Sequence, residues 1–133
     1  LDQSAAAYEK LMKKAEAEKL TDMQAICLSR ISGLYADKFR LQKESQWLDL
    51  AAREYERAAK LASESRNRNV EGQILADWAM LYLDAPRSNN DLISAQTLLK
   101  KALARCPSDA SICAALGSAM LKTGKNPLGS KYI

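Results

Sequence analysis

The sequence predicts an all-α fold, on three observations. Alanine, leucine and lysine are abundant among the 133 residues, with only five glycines and three prolines, and all three are strong helix formers. The β-branched residues are sparse and never run in alternation, so no strand is expected. The chain also overlays on itself without a gap, residues 4–35 meeting residues 51–82 at a shift of 47. Ala5, Tyr8, Glu9, Lys13, Ala15, Leu28 and Tyr35 meet Ala52, Tyr55, Glu56, Lys60, Ala62, Leu75 and Tyr82, and Leu34 meets Leu81.

Six helices follow, over 3–19, 22–42, 46–66, 70–84, 91–105 and 109–123. The first carries Glu9 and Lys13 in the favourable i,i+4 order. Thr21 and Gln24 have the spacing of a capping box for the second. Ser45 starts the third, which repeats the charge pairing with Glu56 and Lys60. The fourth ends before Pro86, which breaks the loop at 84–90. Asn90 or Asp91 starts the fifth helix, and Pro107 forces the turn after it. Ser108 or Asp109 then caps the sixth. These helices make one domain over 1–125, with a tail over 126–133.

Composition excludes much. There is no histidine, no nucleophile elbow and no Gly-rich phosphate loop, so no catalytic residue, metal site or cofactor is expected. No apolar stretch approaches the roughly 20 residues that span a bilayer, and no leader is visible. Three cysteines do not form an even disulfide framework. Reduced, intracellular surroundings fit best, in the cytoplasm. Cys106 and Cys113 bracket the turn at Pro107. They could form a redox pair, but small apolar residues filling a helix–helix contact explain them more simply. The net charge of +4 is well mixed, as on solvated helix faces.

Ala95, Leu99, Ala102 and Pro107 are spaced A-x3-L-x2-A-x4-P, and Leu116, Gly117 and Met120 follow the restart. This run resembles the tetratricopeptide repeat, whose helix pair reads W-x2-L-G-x2-Y, then A-x3-F, then proline. The small-large-small spacing recurs at Ala51, Tyr55 and Ala58 and at Ser4, Tyr8 and Leu11. First helices correspond through Ile31 and Tyr35, Trp78 and Leu81, and Cys113 and Leu116. On this spacing Gly117, with Ala95 and Ala102, is a point of close helix approach. Trp78, Tyr82 and Tyr35 are expected in the core. The longer middle pair resembles repeats of about 40–47 residues as much as the 34-residue type.

The resemblance implies a right-handed superhelical stack of antiparallel helix pairs, a TPR-like α-solenoid of about six helices. It starts on a second-type helix and stops after a first-type one, as caps or as a piece of a longer array. It implies a non-enzymatic scaffold that binds a partner peptide or helix in its concave groove, within a larger complex. Carried over by position, the groove holds Ser29, Ser32 and Ala36, then Ala76, Ala79 and Leu83, then Ser111, Ala114, Ser118 and Lys122, with Arg40 and Lys125 on the rim. One branch of the family clamps the acidic C-termini of heat-shock chaperones. The matching places here are Ser32, Ala36, Met80, Ser111 and Ala115, none of which clamps a carboxylate. A rival reading is nucleic-acid or anionic-surface binding through Lys10, Lys13, Lys14, Arg53, Arg57 and Lys60. A structural or oligomerisation segment of a larger protein is a further alternative.

Overall fold

The computed structural model describes residues 2–84 and 86–123. The predicted tail over 126–133 and Lys125 lie outside them. Six helices and no strand are found among the described residues: α1 (Asp2–Ala17), α2 (Thr21–Gln42), α3 (Ser45–Glu64), α4 (Arg68–Asp84), α5 (Asn89–Arg105) and α6 (Ala110–Thr123). The most extensive packing joins α2 to α3 and α4 to α5. Helices α1 and α2, α3 and α4, and α5 and α6 pack less extensively. Alternate helices on one side also touch, α2 with α4 and α4 with α6, whereas α1, α3 and α5 do not meet one another.

Burial follows the internal overlay. Ala25, Cys27, Leu28, Ser32 and Ala36 are buried on α2, and so are their counterparts Gly72, Ile74, Leu75, Ala79 and Leu83 on α4. Leu48, Ala51, Tyr55, Ala58 and Ala62 of α3 match buried Leu92, Ala95, Leu99, Ala102 and Cys106 after α4. Trp78 and Tyr82 are half-buried and pack against both halves of the core, so they join the two helix pairs. Tyr35 is half-buried too, its ring stacked on Trp47 at 6.1 Å.

The even helices are laced at both ends. At the starting end, Asn67 Oδ1 accepts the Val70 N–H at 3.1 Å and so caps α4, while its Nδ2 donates to Asp22 of α2 at 3.0 Å. Asp109 repeats this for α6, accepting the Ile112 N–H at 3.1 Å and the Gln73 amide of α4 at 2.7 Å. At the other end Arg40 of α2 pairs with Asp84 of α4 at 3.0 Å. Lys122 of α6 donates to the free Leu83 carbonyl of α4 at 3.0 Å.

Several local expectations change. The Thr21–Gln24 capping box does not form. Leu20 N–H bonds back to Ala15 O and Lys19 turns left-handed (φ 57°), so Thr21 is already helical, and Gln24 reaches Ala15 O instead. Asp91 lies inside α5 and accepts the Arg87 N–H at 2.8 Å. Gly117 is exposed, and a Cβ there would meet nothing within 4 Å. The close approach is at Gly72, where a Cβ would overlap the Cys106 sulfur and sit 3.4 Å from Ala102 O. Cys113 is exposed while Cys106 is buried, so they do not share a contact, and all three cysteines are free.

Candidate binding cleft

The even helices leave a cleft between α2 and α4, about 220 Å³ and open to solvent. On α2 it is lined by Ile26, Ser29 and Arg30, and on α4 by Asn69, Val70, Gln73, Ile74 and Asp77. Positions 70, 73, 74 and 77 form one i, i+3, i+4, i+7 stripe, and 26, 29 and 30 form its partner on α2. The floor is apolar, from Ile26, Val70 and Ile74; the walls carry opposite charges. Exposed Leu20 and Met23 continue the apolar strip past Ile26 along the start of α2.

Arg30 and Asp77 act on each other in the cleft without forming an ion pair. Arg30 forms no ion pair among the described residues. Asp77 is reached by solvent yet partly desolvated by its neighbours. That partial desolvation pushes its carboxyl above the ordinary carboxylate range, against the opposing pull of Arg30. Behind the cleft, burial and the Asp77 charge push the Tyr55 hydroxyl up to about 12.

The predicted groove residues are scattered rather than brought together. Ser29 lines the cleft. Ser32, Ala36, Ala79 and Leu83 do not line any surface: all are buried at 2% exposure or less. They lie on the stripes that α2 turns to α3 and α4 turns to α5, where small side chains permit close backbone approach. Ser32 Oγ is consumed by the Leu28 carbonyl at 2.8 Å. Ala76 is half-buried against the α4–α5 core. Ser111, Ala114 and Ser118 are exposed on α6. Lys122 and Arg40 are engaged as ties between helices, so neither is a free rim charge.

The rival cationic face is interrupted. Arg57 pairs with Glu54 at 2.8 Å and Arg53 approaches the same carboxylate at 3.8 Å. Glu9 and Glu16 share the α1–α3 trough with Lys13. Among the described residues no group of His, Cys, Asp and Glu could hold a metal, and no helix is long and apolar enough to cross a membrane.

Sequence reasoning missed Ile26, Val70, Gln73 and Ile74. Their stripe mixes β-branched and polar residues, so it carries no strong amphipathic contrast. Lys38 over the Trp47 ring, at 4.2 Å, was equally invisible. Comparison with family models, with curated proteins and with solved structures gives no match.

Proposed function

We propose that this chain is a non-enzymatic protein-interaction scaffold of TPR-like, right-handed superhelical build. It binds a partner helix or extended peptide in the cleft between α2 and α4. Support for the build comes from the matched burial of α2 with α4 and of α3 with α5, and from contacts between successive even helices only. The observation that carries the binding reading is the open apolar floor of the cleft, exposed Ile26 and half-buried Val70 above buried Ile74, between Arg30 and Asp77. Apolar side chains of a guest would rest on that floor, and its polar groups would meet the two charged walls.

The experiment is selection of peptides from a random library on the folded chain, with binding mapped by amide chemical shifts. Selected peptides should perturb residues 26–30 and 69–77. Ile26→Glu, at a residue 38% exposed, should weaken them at least tenfold without loss of helicity. Peptides that bind the variant equally well, or that perturb α1 and α3 instead, would overturn the cleft assignment.

A further inference from the structure

Tyr55 of α3 is only 5% exposed, yet its hydroxyl forms no hydrogen bond with the described residues. Among them Asp22 Oδ1 alone is both fully enclosed and without a partner. The Tyr55 oxygen, also without a partner, therefore keeps an opening to solvent. Buried polar groups of folded chains are normally paired, so this hydroxyl has a bond still to give. It stands 3.9 Å from where a Cβ on Gly33 of α2 would be, and the missing side chain leaves it uncovered there.

The opening lies on the cleft. Helices α2 and α4 run in the same direction with a nearly constant offset, 45 residues at the Asp22–Asn67 tie and 44 at the Arg40–Asp84 tie. An offset of 44 pairs Ile26 with Val70, Ser29 with Gln73 and Arg30 with Ile74, and all six line the cleft. Gly33 follows Ile26 and Arg30 on the same α2 stripe. The same offset sets it opposite Asp77, the last wall residue of the cleft. Burial apart, Asp77 is the charge that acts most strongly on the Tyr55 hydroxyl. The cleft thus ends in a recess with Tyr55 Oη at its floor, Asp77 on one wall and Arg30 one turn back.

Three groups of different character meet there. Arg30 only donates, ionised Asp77 only accepts, and the Tyr55 hydroxyl does either. A guest carboxylate would face Asp77 and a guest ammonium would face Arg30, like charge against like in both cases. A carboxamide carries an acceptor and a donor side by side without net charge, so it suits both walls and the floor. Reach decides where it comes from. The hydroxyl lies level with the α2 backbone, whereas Arg30 and Asp77 are exposed. A guest main chain resting on those two side chains is held off, and only a side chain reaches down. We propose that the recess takes the side-chain carboxamide of a glutamine or asparagine in the docked segment, with Tyr55 as the residue that sets this preference. The assignment rests on the cleft as the docking site.

The test is selection of a random peptide library on the wild type and, in parallel, on Tyr55→Phe, which keeps the ring and removes only the unpaired oxygen. The wild type should enrich glutamine or asparagine at one fixed distance from an apolar residue, and the variant should not. In a selected peptide, exchange of that glutamine for methionine, or asparagine for leucine, should weaken binding to the wild type at least threefold. The same exchange should leave binding to Tyr55→Phe unchanged. The variant should keep the helicity and the neutral-pH denaturant midpoint of the wild type, since no hydrogen bond is lost. Uniform weakening of every peptide by Tyr55→Phe would mean a packing role only and overturn the assignment. Cleft-bound peptides with no carboxamide preference, or with one that survives Tyr55→Phe, overturn the recess and leave the cleft standing. Peptides that bind elsewhere overturn both.

Discussion

Gly72 of α4 lies so close to Cys106 at the end of α5 that one added methyl group would overlap the cysteine sulfur. The sulfur is itself pinned, 3.6 Å from the Arg68 carbonyl, and the Ala102 backbone blocks the other side. Gly72→Ala should therefore destabilise by about 1–3 kcal/mol through overpacking. Gly117→Ala should do the reverse, gaining about 0.5–1 kcal/mol, because that glycine is helical, exposed and unopposed. Denaturant midpoints of the two variants check the opposite signs.

Asp22 and Asp77, two aspartates of the even helices, should give opposite pH dependences. The neighbouring Ser65 hydroxyl and the Asn67 amide, which donates to Asp22 at 3.0 Å, hold the Asp22 carboxyl below its ordinary range, Ser65 Oγ itself donating to Ala62 O at 2.9 Å. A depressed carboxyl contributes stability above its unfolded pKa, and that stability is lost as pH falls through the folded value. Asp77 is raised, so its contribution is full below the unfolded pKa and is lost as pH rises through the folded one. Asp22→Asn should lower the midpoint at neutral pH and Asp77→Asn should raise it. Both should approach wild type in acid, as measured by urea unfolding at neutral and acid pH.

Tyr55 sets an alkaline limit. Its hydroxyl titrates near 12 in the folded chain, against about 10 in an unfolded one. Tyr55 thus leaves stability untouched below pH of about 10 and lowers it as pH rises toward the folded value. Tyr55→Phe should flatten that fall, as thermal scans at increasing pH would reveal.

Three helix-ending residues, Lys19, Lys43 and Arg66, adopt left-handed backbone with φ of 57°, 59° and 61°. That geometry costs a side-chain-bearing residue roughly 1 kcal/mol or more. Lys43, whose N–H bonds Phe39 O at 2.7 Å, is exposed, so nothing else depends on its side chain. Lys43→Gly should stabilise by up to about 1 kcal/mol, while Lys43→Ala should change little.

Asn67→Ala should cost about 1 kcal/mol for the lost cap on α4, and more if the tie to Asp22 is included. Hydrogen exchange should rise at the Val70 amide, which the Asn67 side chain now holds.

The helices themselves were legible in the sequence, with ends within two residues, because Pro86, Pro107 and runs of helix formers punctuate the chain. The register between α2 and α4 was legible too, since the overlay pairs positions that prove buried together. What was not legible was which stripe of small residues faces solvent. Ser32, Ala36, Ala79 and Leu83 looked like a shallow groove and are instead contacts between neighbouring helices. A small side chain reads the same in both settings, and only the neighbour decides. Asn67 escaped notice as a cap because no glycine or proline marks the turn that Arg66 makes.

The lacing of the even helices has a mechanical consequence. Side-chain ties cross from α2 to α4 and from α4 to α6, whereas the odd side is tied by Arg87, which bonds Asp91 of α5 at 3.2 Å and approaches Asp49 of α3 at 3.8 Å. Polar ties are thus denser along the even-helix edge than along the odd one, like a spine with most of its ligaments on one side. Separating α2 from α4 would therefore break the Asn67–Asp22 tie at one end and the Arg40–Asp84 tie at the other.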